Sequence, residues 1–77
     1  MTDPGPVGGG SVYKAVQIVG TSLLGWEHAA KSAVEMAAKS LRDMRVAEVV
    51  EMDVLIEDGS VIAFRTKLRL SYKTNAE

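Results

Sequence analysis

The stretch Val12 to Leu41, VYKAVQIVGTSLLGWEHAAKSAVEMAAKSL, decides the fold. Its first part is rich in β-branched residues (Val12, Val16, Ile18, Val19), which suit a pleated surface. Ser11 to Gly20 is therefore predicted as a strand. Val12, Lys14, Val16 and Ile18 fall on one face, and Tyr13, Ala15, Gln17 and Val19 on the other. Both faces are partly apolar, which argues for burial on both sides. Gly20-Thr21-Ser22 reads as a turn, with Ser22 or Thr21 as helix N-cap. A helix is expected from about Leu23 to Leu41. Ala30, Ala33, Val34, Ala37, Leu41 and Met44 recur at helical spacing, with His28, Lys31, Ser32, Glu35, Lys39 and Arg42 opposite. The core-side residues are mostly small, so the helix can lie close to a sheet.

Working outward, Arg45 to Asp58 (RVAEVVEMDVLIED) reads as a second strand and Val61 to Lys73 as a third. Asp58-Gly59-Ser60 between them is a turn signal, so the two strands form an antiparallel hairpin. The third strand alternates cleanly. Ile62, Phe64, Thr66, Leu68, Leu70 and Tyr72 face the core, and Arg65, Lys67, Arg69 and Lys73 face away. In strand two, Glu51, Asp53 and Glu57 share a face, with Glu48 the odd member on the other parity. Acids on strand two beside bases on strand three predict cross-strand ion pairs.

The helix joins strands one and two by a right-handed crossover, which makes them parallel. Strand three then lies between them, antiparallel to both. The expected fold is α+β, a β-α-β-β chain with a three-stranded antiparallel sheet in the order 1-3-2 packed on one helix. Part of the helix lacks cover within the chain and two strand edges stay free, so assembly is expected.

Composition narrows the function. The chain has 77 residues, 47% of them hydrophobic and 25% charged, with a net charge of −1. So short a chain buries a small core and commonly relies on oligomerisation. It has no cysteine, which excludes a disulfide staple and a thiolate site, and its one histidine argues against a single-chain zinc site. Acids and bases alternate without the basic stripe of a nucleic-acid binder. No apolar run approaches the ~18 residues of a membrane span, and no secretory signal pattern is present. A cytoplasmic location is the expectation. Residues 1–10 (MTDPGPVGGG) hold both prolines and four of the seven glycines. They read as a disordered arm or an expression remnant. Residues 11–73 form the domain, and 74–77 a frayed tail. Ser22 and Thr21 are assigned to capping and His28 to a solvated helix face or a subunit contact. No nucleophile–base pair is evident, and the chain reads as non-enzymatic.

VYKAVQIVGTS, a helix of about 20 residues, VAEVVEMDV and a hairpin into FRTKLRLSYK together resemble the dodecins over about residues 11–73. The resemblance implies a β-α-β-β fold, a hollow homododecamer, and storage or sequestration of flavin without chemical turnover. Two positions depart from the flavin-binding pattern. The aromatic that precedes the A-E-V segment and stacks on the flavin ring is Val46 here, and the Gln that bonds the flavin's polar edge is Arg65. Valine offers no π-face, and Arg65 puts a cation where a neutral amide belongs. Trp26-Glu27 in the first helical turn, with the stacking Trp absent, resembles the calcium dodecins, a branch that binds Ca²⁺ instead of flavin.

Ca²⁺ takes roughly six to eight oxygen ligands. Glu51 is the first candidate, since it occupies the position where some dodecins place a carboxylate at a three-fold axis. Asp53 is second, and Glu57 and Asp58 at the hairpin are weaker. The same acids would otherwise pair with Arg65, Lys67 and Arg69. Trp26 is expected to pack at the helix end or a subunit contact. The resulting expectation is a non-enzymatic, cation-binding shell protein. The alternative is a dodecin that takes a flavin or another small molecule in an altered pocket, with Arg65 meeting a phosphate or dianion.

Overall fold

A computed structural model describes residues 12–74. The arm at residues 1–10 and the tail beyond Thr74 lie outside the described residues. The elements run β1 (Val12–Ser22), α1 (Trp26–Ala37), β2 (Met44–Glu57) and β3 (Ser60–Thr74). They form one antiparallel sheet in the order β1-β3-β2 with α1 packed on one face. This is the expected β-α-β-β architecture.

The first strand is longer than predicted. Thr21 and Ser22 continue the ladder opposite Arg65 and Phe64, so the turn begins only at Leu23. The helix is correspondingly shorter than Leu23 to Leu41. It starts after Gly25, whose φ of 150° suits a residue without a side chain. It ends at Ala37, after which tightened turns carry the chain through Ser40: Ser40 N–H donates to the Ala37 carbonyl at 3.0 Å and Lys39 N–H to the Met36 carbonyl at 3.2 Å. Neither Thr21 nor Ser22 caps it. The N-cap residue is Gly25, with no side-chain cap bond.

The helix crosses β1 at Gly20, where a Cβ would meet the Ala29 carbonyl oxygen and would lie 2.8 Å from Ala33 Cβ. Small residues on both elements permit this approach. The core is Ala29, Leu68 and Leu70, all essentially inaccessible; Ala63 is also buried, opposite Leu55 on the other face of the sheet. Thr66 is equally buried, and its hydroxyl donates to the Trp26 carbonyl at 2.9 Å, which pins the first turn of α1 to the central strand. Ile62 departs from the predicted alternation. It is the extra residue where Leu55 pairs with Ala63 and Ile56 with Val61, and it is exposed while Ala63 is buried.

The β2–β3 hairpin turns on Asp58 (φ 50°) and Gly59 (φ 78°), with Glu57 opposite Ser60. Two central residues at positive φ match the right-handed twist of the flanking strands. Two further bulges interrupt β2, at Arg45 and at Val50. The second changes the face of everything upstream of it. Glu48 therefore joins Glu51 and Asp53 on the side away from the helix, which corrects the simple alternation predicted for this strand.

Candidate functional site

The sheet face away from α1 carries a ladder of opposite charges between β2 and β3. Glu48 meets Arg69 at 3.0 Å, Glu51 meets Lys67 at 3.1 Å, and Asp53 meets Arg65 at 2.7 Å. These partners are directly opposed in the register. The predicted cross-strand pairing is thus present, extended by one rung. The signal for that rung was the spacing Glu48, Glu51, Asp53. A step of three followed by a step of two across Val49-Val50 is what a bulge produces.

The rungs differ in quality. Arg65 Nε and Nη2 each donate to one oxygen of Asp53 at 2.7 Å, a planar two-point fork. This bond, reinforced by the charge of Arg65, holds the Asp53 carboxyl below its ordinary range, and Asp53 raises Arg65 in turn. Glu51 has a single contact to Lys67 and is more than half exposed. Like Glu48, which has a single contact to Arg69, it is held less firmly than Asp53. Glu57 and Asp58 sit at the exposed hairpin end and make no ion pair among those described. Among the described residues, no three His, Cys, Asp or Glu side chains stand close enough to hold a metal within one chain.

Val46 lies at the start of β2, 58% exposed, beside the bulge at Arg45 and opposite Ser71. A shallow hollow of about 240 Å³ opens next to it, lined by Val34, Met44, Arg45, Val46, Ala47 and Leu70. Arg65, turned into its fork with Asp53, is not among the residues that line it.

Trp26 packs at the helix end, as expected. Its ring stands edge-on to Phe64 with centroids 5.1 Å apart, and its Nε1–H donates to the Asp53 carbonyl at 2.9 Å. The indole therefore ties the start of α1 to the strand that carries Glu51 and Asp53.

One pairing escaped the sequence reading. Ser22 Oγ lies 2.8 Å from His28 Nδ1 and also accepts the Leu24 N–H at 2.9 Å. Ser22 Oγ keeps one lone pair and its own proton beyond the Leu24 bond, so the direction of its bond to Nδ1 follows the tautomer of the ring. A nucleophile and a base are thus adjacent, contrary to the expectation of none. Ser22 is buried, however, and among the described residues no carboxylate hydrogen-bonds the ring. The pair latches the end of β1 to the first turn of α1. A Ser six residues before a His could have signalled it only if the connection were known to be this tight.

The family model for Dodecin matches residues 12–75. A calcium dodecin from Mycobacterium tuberculosis is 46% identical over 63 residues, covering 82% of this chain and 89% of that protein. A dodecin from Thermus thermophilus is 36% identical over 64 residues, covering 83% and 93%. Among solved structures, the calcium-chelating calcium dodecin from Mycobacterium tuberculosis, described with a calcium-binding site, superposes with a TM-score of 0.76 at 43% identity. That likeness covers 87% of this chain and 96% of the other. With the topology, the register and the sequence match in agreement over nearly all the described residues, the chain belongs to the dodecin family.

Proposed function

We propose that this chain is a non-enzymatic dodecin-type shell protein that assembles as a homododecamer and binds a divalent cation, Ca²⁺, the family's flavin pocket being lost. The observation that carries the reading is the 46% identity with a calcium dodecin over 82% of the chain. The geometry supports it in two ways. Val46 presents no ring for a flavin to stack on, and Arg65 is committed to Asp53. Glu51 meanwhile is exposed and held by one contact.

One chain has too few carboxylates in one place for a Ca²⁺ shell of roughly six to eight oxygens. Copies around a three-fold axis would converge three Glu51 side chains on one ion, with Asp53 beside them. Glu57 and Asp58 are the weaker site, at the hairpin. No nucleic-acid or membrane partner enters this reading, and the location is cytoplasmic. Among the described residues no helix is long and apolar enough to cross a membrane.

Calorimetric titration of metal-free protein with Ca²⁺ tests the proposal. Saturable heat is expected, and heat indistinguishable from that of buffer would sink it. The second reading, a flavin or another planar small molecule held in an altered pocket, is favoured by the hollow beside Val46. Quenching of FMN or riboflavin fluorescence on titration would select it.

A further inference from the structure

An aspartyl peptide can rearrange without an enzyme. The backbone nitrogen of the following residue attacks the side-chain carboxyl carbon, water leaves, and a five-membered succinimide closes. Hydrolysis returns that water at one of the two ring carbonyls. It restores aspartate or gives isoaspartate, whose main chain runs through the β-carboxyl. The reaction needs an unshielded nitrogen, a carboxyl not held elsewhere and a peptide free to rotate.

Asp58 meets all three conditions. It is followed by Gly59, which has no Cβ to shield its nitrogen. Both residues are exposed, and the space a Gly59 Cβ would face is open to 4 Å. Among the described residues the Asp58 carboxyl makes no hydrogen bond or ion pair, and the Gly59 N–H makes no hydrogen bond. The last rung of the ladder is Glu57 with Ser60, so the Asp58–Gly59 peptide can swing without breaking a strand pair. Asp58 also starts from φ 50°, which a side chain adopts at a cost and which favours leaving the turn.

The other three aspartates each lack a condition. Asp53 is held in the Arg65 fork, and the β-branched Val54 that follows it pairs with Phe64. The Asp43 carbonyl holds the Lys73 N–H, and Met44 after it pairs with Tyr72. Asp3 precedes Pro4, which has no N–H to attack with.

We propose that Asp58 is a site of spontaneous isoaspartate formation in the folded chain, a modification that resets the β2–β3 turn. The product keeps the carboxylate charge and adds one methylene to the main chain between the strands. A two-residue turn with both residues at positive φ has no slack for it, so the Glu57–Ser60 rung opens first. The modification does not depend on which ligand the chain binds.

The test incubates the intact protein at neutral pH and physiological temperature, beside the same chain held in denaturant. Electron-transfer fragmentation of the tryptic peptide 46–65 places any isoaspartate by residue. An isoaspartyl methyltransferase with S-adenosylmethionine counts it, by esterifying the new α-carboxylate. Conversion at Asp58 is expected to exceed that at Asp43 and Asp53 by at least about tenfold, because the turn opens locally and their segments do not. Asp58→Asn tolerates the same backbone and reaches the same succinimide by expelling ammonia, so it should convert faster and show the mass of acid for amide. Gly20→Ala, which loosens the distant contact of helix and strand, should leave the Asp58 rate unchanged. Conversion in denaturant with none in the native protein overturns the proposal, as does earlier conversion at Asp43 or Asp53. An Asp58→Asn chain that keeps its amide overturns it too. A rate that rises in Gly20→Ala routes the reaction through the unfolded chain and overturns the claim that the folded turn reacts.

Discussion

Arg65 grips both carboxylate oxygens of Asp53 at 2.7 Å, from the central strand to the edge strand of the hairpin. The bond lowers the Asp53 pKa from its ordinary value of 3.8. A carboxylate depressed by folding contributes stability that is fully present above the unfolded pKa and is lost as pH falls through the folded one. The ion-pair contribution should therefore be constant from neutrality down to about pH 4 and disappear below it. Both groups are partly exposed, so the effect is modest and weakens with salt. Carbon-13 NMR titration of the Asp53 carboxyl checks this directly. Its midpoint should lie below the ordinary aspartate value of 3.8, and Arg65→Gln should raise it toward that value. An unchanged midpoint in Arg65→Gln would assign the shift to another group.

The same fork bears on flavin. If Val46 and Arg65 alone closed the family's pocket, Val46→Trp with Arg65→Gln should reopen it. An aromatic stack contributes about 1 kcal/mol beyond area burial, or roughly fivefold in affinity. The wild-type chain should leave FMN fluorescence unchanged and the double variant should quench it. Failure of the double variant, still assembled, would show that other positions shape the pocket.

Gly20 is the closest approach of helix and strand. Alanine there would press against the Ala29 carbonyl and Ala33 Cβ, which are backbone and a branch point with no rotamer to move. Overpacking of this kind costs about 1–3 kcal/mol. Thermal unfolding of Gly20→Ala should fall by several degrees at matched protein concentration, with Gly25→Ala as a control whose penalty comes from φ alone.

Asp43 and Asp58 are the non-glycine residues at positive φ among those described. Asp43 is fixed there because its carbonyl accepts the Lys73 N–H at 3.1 Å. Aspartate tolerates this region better than branched residues do, which lose about 1–2 kcal/mol. The denaturation midpoints of variants at 43 should rank Gly and Asp together, with Val lowest. Equal midpoints for all three would mean that the turn relaxes.

The order β1-β3-β2 and the hairpin were legible because alternation in Phe64, Thr66, Leu68 and Leu70 is clean and Asp58-Gly59 is a strong turn pair. The helix limits were not, since tertiary pairing of Thr21 and Ser22 with β3 overrode the local cap signal. The face of Glu48 was hidden by the Val50 bulge, which a strict period of two cannot register. The Ser22–His28 bond joins residues whose proximity depends on how sharply Leu23 to Gly25 turn, and nothing in their identity fixes that. The charges on β2 and β3 were readable, but whether acids from several copies meet is not contained in one chain's pattern.

Trp26, the one tryptophan, is bonded through Nε1–H to the Asp53 carbonyl, two residues from Glu51 on β2. A cation that draws Glu51 away from Lys67 would shift this segment and alter the field on the indole. Ca²⁺ titration should therefore change Trp26 emission saturably. Glu51→Gln removes the carboxylate charge at nearly constant shape and should weaken the response at least tenfold. Lys67→Met removes the competing cation at 3.1 Å and should strengthen it. A Glu57→Gln, Asp58→Asn variant at the hairpin should behave as wild type. If Glu51→Gln titrates like wild type while the hairpin variant does not respond, the ion belongs to the Glu57–Asp58 turn, and the β2 face serves only as a ladder of ion pairs.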